Sequence, residues 1–211
     1  MTGVIICGGS IRDYDYIGRY LEGADLVIAV DSGAAHIEGL KAVPDLLTGD
    51  FDSISQADYD SLTASGIETL RFPVEKDKTD SELAAELALE RGCSTVVLLG
   101  ALGTRLDHSL SNIYLLKKLL ERGARGIVAD EHNEVYLTDS SITLGMEAGT
   151  KLSLLPLSGR VKGVTTHGLH YPLKDATLEI GSSWGVSNEF VNETATVTIT
   201  DGLLLVIKSR D

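Results

Sequence analysis

The chain has 211 residues, of which 43% are hydrophobic and 23% charged, and it carries a formal net charge of −13. That length suits one large domain or two small ones. The negative balance argues against nonspecific binding to nucleic acid or anionic membranes, and any anionic substrate needs a local basic patch or a metal to offset it. The two cysteines, Cys7 and Cys93, sit in separate apolar runs and make neither a disulfide framework nor a zinc site. No leader-type segment or run of membrane-spanning length is legible, so a cytoplasmic, reducing setting is expected.

In chain order, short apolar runs alternate with helical patterns. Strands are predicted at Val4–Cys7, Leu26–Val30, Asp45–Thr48, Glu68–Phe72, Thr95–Leu99 and Gly126–Ala129. Helices are predicted near Asp13–Leu21, Ala34–Leu40, Gln56–Ala64, Asp80–Arg91 and His108–Arg122. Thr79-Asp80-Ser81-Glu82 is a capping box, and Gly92 and Gly123 follow the ends of two helices as C′ residues. This rhythm gives an α/β domain over residues 1–131, with a doubly wound, mostly parallel sheet. Beyond it, segments such as TKLSLLPL, TATVTIT and LLLVIKS are short, rich in β-branched residues and broken by Gly, Asp, Asn and Ser. Residues 132–211 are therefore expected to form an antiparallel β-sandwich.

The chemistry concentrates where predicted strands hand over to helices. Asp31 opens DSGAAH, Asp50 and Asp52 lie in GDFDS, Asp77 and Asp80 in KDKTD, and Asp107 in GTRLDH. In a parallel sheet these junctions share the carboxyl edge, where α/β proteins bind ligands. Crowded carboxylates repel one another, and a hard divalent cation such as Mg2+ relieves that repulsion beside phosphate. Asp50 and Asp52 are two apart, so in an extended chain both face one way. Lys76, Lys78 and Arg105 are candidate phosphate contacts. Gly100 and Gly103 let backbone amides approach an anion ahead of a helix N-terminus. Asp107 is a candidate metal ligand, proton acceptor or helix cap, and His108 is the histidine nearest this chemistry. No Walker A, GxGxxG or Gly-x-Ser-x-Gly pattern is present. In the second domain, Tyr171 or Trp184 could stack on a flat ring, and Ser187 and Asn188 could hydrogen-bond it.

The segments DSGAAH, PDLLTGDFDS, KDKTDSELAAELA, GALGTRLDHSLSN and GVSNEF, in this order, resemble the thiamine pyrophosphokinase family. The resemblance covers essentially the whole chain. It implies transfer of a pyrophosphoryl group from ATP to thiamine, giving thiamine diphosphate and AMP. It also implies a homodimer with the active site at the subunit interface. Carried over by motif, Asp50, Asp52 and Asp80 would hold Mg2+ on ATP, Asp107 would lie against the reacting centre and Asp31 would line the cleft. Ser187 and Asn188 would contact thiamine, and Tyr171 falls at the aromatic position of a GL-x-aromatic segment. A Mg2+-dependent nucleotide pyrophosphatase and a non-catalytic nucleotide or vitamin sensor are the competing readings.

Overall fold

The computed structural model describes residues 1–211 as two compact units, Met1–Glu131 and His132–Asp211. The first unit runs β1 (Thr2–Ile6), α1 (Tyr14–Gly18), β2 (Leu26–Val30), α2 (Ile37–Leu40), β3 (Leu46–Gly49), α3 (Gln56–Ala64), β4 (Glu68–Arg71), α4 (Asp80–Glu90), β5 (Thr95–Leu99), α5 (Leu106–Glu121) and β6 (Arg125–Ala129). Its strands lie in the order β6-β5-β1-β2-β3-β4, and every pairing among them is parallel. The chain winds outward from β1 through β4, then returns to β5 on the other side of β1. The β1–β5 boundary is thus the topological switch point, where a crevice opens at the carboxyl edge.

Burial on both faces explains the unbroken apolar runs. On one face Val4, Ile6, Ala29, Leu47 and Leu99 form a core with Ile17 of α1, Leu40 of α2 and Leu62 of α3. On the other, Cys93 just beyond α4 and Leu116 of α5 come so close that two strand glycines are required. A Cβ on Gly3 would lie 2.9 Å from Cys93 Sγ, and one on Gly126 would lie 2.6 Å from a Leu116 methyl. Thr79 caps α4 by accepting from Glu82 N at 3.3 Å, and Gly92 and Gly123 adopt φ of +86° and +76° beyond α4 and α5.

Two predicted helices are broken in the structure. Asp13–Leu21 becomes α1 followed by a 3-10 turn at Arg19–Leu21, because Gly18 weakens the α-helix. Ala34–Leu40 becomes a 3-10 segment at Asp31–His36 running into the single turn of α2. The chain turns directly at the end of β2, where Asp31 takes a left-handed φ of +44°, and this leaves no room for regular entry into a helix.

The second unit contains β7 (Asn133–Thr138), β8 (Ser141–Gly145), β9 (Lys151–Pro156), β10 (Arg160–His167), β11 (Ala176–Glu179), β12 (Asn188–Glu189), β13 (Thr194–Thr198) and β14 (Leu204–Ser209). They form two antiparallel layers, β12-β9-β14-β7 and β11-β10-β13-β8. Period-two patterning sets their faces: Ala195, Val197 and Ile199 are buried, while the intervening threonines are not. No helix of the structure is long and apolar enough to cross a membrane.

Candidate active site

The carboxyl ends of β1, β2, β3 and β5 surround a cavity of about 530 Å³ in the first unit. Glycines let these ends interlock. A Cβ on Gly8 would lie 1.9 Å from Ser32 Oγ, one on Gly33 2.1 Å from Ile6 O, and one on Gly100 2.3 Å from Cys7 O. Gly9 N donates to Gly100 O at 2.7 Å, which ties the loop after β1 to the loop after β5. Backbone therefore lines the cavity where side chains would otherwise stand, as close approach to an anion requires.

Asp31, Asp50, Asp52 and Asp80 all reach this cavity from separate chain segments. Asp31 Oδ1 accepts from Phe51 N at 3.0 Å, and Asp50 Oδ1 accepts from Asp52 N at 3.0 Å. The chain at GDFDS is not extended: Gly49 has φ +144° and Phe51 φ +65°. Asp50 and Asp52 meet the same cavity through this tight turn, not through strand parity. Burial pushes the Asp31 carboxyl up to about 6, opposed by the Phe51 N–H and reinforced by the charges of Asp80 and Asp50. Asp50 is held below the usual carboxylate range, chiefly by the Asp52 N–H and further by Lys76.

Lys76 does not line the cavity wall but binds its acids together. Its Nζ lies 2.8 Å from Asp80 Oδ1 and 3.4 Å from Asp50 Oδ2. The ion pair to Lys76 is the one contact of that buried Asp80 oxygen. Arg105 and His108 also border the cavity. The Arg105 guanidinium grips Asp107 with a fork, Nη2 to Oδ2 at 2.6 Å and Nε to Oδ1 at 3.3 Å, with both side chains largely exposed. This pairing holds the Asp107 carboxyl down at about 2. Asp77 and Lys78 are not brought to the cavity. Asp77 is exposed, and Lys78 turns along α4 to Glu86 at 2.7 Å.

Two polar residues on the inner face of α5 complete the site. Asn112 Nδ2 donates to Ala101 O at 2.7 Å, and Ser109 Oγ accepts from Gly103 N at 3.1 Å. Both are buried and hold the Gly100–Arg105 loop from within. Their three-residue spacing amid leucines was the available sequence signal.

The second unit carries its own cavity of about 180 Å³, bordered by Leu154, Tyr171, Leu173, Trp184, Val186 and Asn188. Tyr171 and Trp184 are 64% and 60% exposed, so their rings stand open at its rim. The His170 ring meets Tyr171 edge-on, with centroids 4.6 Å apart. Asn188 acts as a clamp: its Oδ1 accepts from Tyr171 N at 3.0 Å and Glu189 N at 2.9 Å, while Nδ2 donates to Tyr171 O at 2.8 Å. Ser187 does not border the cavity. It takes φ +61°, and its N–H donates to Ser153 Oγ at 3.0 Å.

Comparison with known proteins accounts for both units. Residues 17–128 match the family model for the catalytic domain of thiamin pyrophosphokinase, and residues 139–204 match that for its vitamin B1 binding domain. A thiamine pyrophosphokinase of Bacillus subtilis is 28% identical over 209 residues, covering 98% of each chain. One from Caenorhabditis elegans is 26% identical over 78% of this chain and 70% of its own. Crystal structures agree: that of the Bacillus subtilis enzyme superposes with a TM-score of 0.90 at 29% identity and full coverage of both chains. The Geobacillus thermodenitrificans structure gives 0.87 at 30% identity, covering 100% of this chain and 98% of that one. By its two successive domains and its full-length likeness, the chain belongs to the thiamin pyrophosphokinase family.

Proposed function

We propose that this chain transfers the pyrophosphoryl group of ATP to the hydroxyethyl oxygen of thiamine, giving thiamine diphosphate and AMP. ATP occupies the cavity of the first unit, and thiamine that of the second. The observation that carries this reading is the convergence of Asp31, Asp50, Asp52 and Asp80 on a glycine-lined crevice at the switch point.

The donor chemistry there fits Mg2+. Carboxylate oxygens are the hard ligands it prefers, and Asp80 Oδ1 is a buried oxygen held by Lys76 alone, at 2.8 Å. Asp50, Asp52 and Asp80 would hold the ion. No three acidic, histidine or cysteine side chains meet at coordinating distance in the chain alone, and Lys76 stands between Asp50 and Asp80. When bound, Mg2+ supplies positive charge to the phosphates as negative charge moves toward the departing AMP.

The chain's own groups do the rest. The Gly8–Gly9 and Gly100–Gly103 loops bring backbone close to the phosphates, with the Gly9 and Gly103 N–H groups spent on Gly100 O and Ser109 Oγ, and Arg105 exchanges Asp107 for a phosphate oxygen. The hydroxyl of thiamine attacks the β-phosphorus in line, and its proton leaves late, once bonding to phosphorus has acidified it. Asp107, released by Arg105, is an ordinary carboxylate and so too weak a base to deprotonate an alcohol early, which suits late acceptance. Tyr171 and Trp184 offer ring faces to the cationic thiazolium. The complete site forms in a homodimer, where the second unit of one subunit meets the first unit of its partner. Two free, buried cysteines accord with a reducing cytoplasm.

Product identification tests the reading. Protein incubated with ATP, Mg2+ and thiamine should yield thiamine diphosphate and AMP in equal amounts on chromatography. AMP and pyrophosphate with untouched thiamine would make it a hydrolase. Binding without turnover would make it a sensor.

A further inference from the structure

Behind the loop after β1 lies a chain of contacts whose two side chains, Tyr14 and His36, border neither cavity. The imidazole of His36 spans from Gly9 to Tyr14: its Nε2 lies 2.7 Å from Gly9 O, and its Nδ1 lies 2.9 Å from Tyr14 Oη. Gly9 O can only accept, so Nε2 carries the proton. In the neutral ring Nδ1 then accepts, and the Tyr14 hydroxyl donates. The tyrosine is fixed in turn, because Gly39 admits its ring: a Cβ there would lie 2.7 Å from Tyr14 Cε2. Three elements, α1, the Asp31–His36 turn and α2, thus converge on one carbonyl.

That carbonyl belongs to the cavity loop. Gly9 borders the cavity and His36 does not, so the hydrogen bond draws the carbonyl oxygen away from the space where phosphates would lie. The oxygen stays beside the second loop, 3.5 Å from an ideal Cβ on Gly100, and Ser10 itself does not border the cavity. Released from His36, the Gly9–Ser10 peptide could rotate and present a partial negative charge to the nucleotide. The same loop has little other freedom, since a Cβ on Gly9 would lie 2.3 Å from Gly100 O.

We infer that Tyr14 and His36 are positioning residues for the nucleotide, which hold the Gly9 carbonyl turned toward the imidazole so that the loop does not set its oxygen against ATP. This rests on the reading of the first cavity as the ATP site.

The test is calorimetric titration with Mg2+ and ATP in the absence of thiamine, alongside separate KM values for ATP and thiamine. His36→Ala should weaken ATP binding about tenfold, the scale of one well-placed hydrogen bond. The thiamine KM should stay put and the far-UV spectrum stay native. His36→Gln, whose amide nitrogen replaces Nε2, should recover binding to within about threefold of wild type, and Tyr14→Phe should lose about threefold. Unchanged ATP affinity in folded His36→Ala would overturn the inference. So would a glutamine variant no better than alanine, or an equal rise in the thiamine KM. Should His36→Ala fail to fold, Tyr14→Phe decides, and unchanged ATP affinity there overturns it. If wild type forms no thiamine diphosphate, the functional reading falls, while the ATP titrations still judge the role of His36.

Discussion

The two cavities are built on opposite principles. That of the first unit is made of backbone and charge: glycine-tied strand ends and four carboxylates with one lysine between two of them. That of the second is made of rings and a single amide clamp, with Tyr171 and Trp184 open at the rim and Asn188 fixing the backbone beneath them. A phosphate chain needs donors and cations at fixed points, which close-packed loops supply. A flat, weakly polar cation needs surface, which exposed aromatics supply. Under the proposed assignment, the two substrates are bound by units whose folds share no design.

The largest effect should come from the charged side. Asp50→Asn should lower kcat on the order of a thousandfold while the protein melts within a few degrees of wild type, as checked by steady-state assay and thermal melting. Loss of activity through unfolding would leave the two cavities undistinguished and count against a chemical role for Asp50.

On the other side the clamp matters more than any single contact. Asn188→Ala leaves the N–H and C=O of Tyr171 without their partner, and should cost about 1–3 kcal/mol of stability by denaturant unfolding. It should raise the thiamine KM more than the ATP KM. An equal rise in both would blur the division between the units.

A smaller effect follows from Asp31, whose carboxyl is raised to about 6 from 3.8. A raised acid stabilises the folded state fully below pH 3.8, and that contribution is lost as pH rises through about 6. Asp31→Asn keeps the acceptor for Phe51 N but cannot ionise. Without metal it should therefore be more stable than wild type above pH 6, by about 1 kcal/mol since the half-buried group is screened by solvent, and the gain should vanish near pH 4. Melting curves across that range check the sign.

Much of the fold was legible because burial on both faces of a parallel sheet forces continuous apolar runs: LVIAV and TVVLL are read directly as β2 and β5. The acids were legible by position, since each follows such a run. Their geometry was not. Phe51 sits at φ +65°, so counting by twos from Asp50 to Asp52 gave the right neighbourhood for the wrong reason. Lys78 reads like Lys76 in sequence, yet only tertiary packing sends it to Glu86 and away from the acids. Ser109, Asn112 and His36 act on backbone carbonyls and amides, which carry no sequence signature, and Tyr14 acts through His36; only the spacing of Ser109 and Asn112 amid leucines hints at a polar inner face. Asn188 borders the second cavity as an amide beside a polar ring would, and its clamp on Tyr171 and Glu189, which sequence does not show, takes its oxygen and one of its two Nδ2 hydrogens.

The most direct test of the division between the cavities is a side-by-side measurement of both KM values in Asp52→Asn and Tyr171→Ala. The expected result is a crossed pattern. Asp52→Asn should raise the KM for ATP and leave that for thiamine, while Tyr171→Ala should raise the thiamine KM about tenfold and leave that for ATP. A rise in the thiamine KM alone for Asp52→Asn, or in the ATP KM alone for Tyr171→Ala, would contradict the assignment of ATP to the carboxylates and thiamine to the rings.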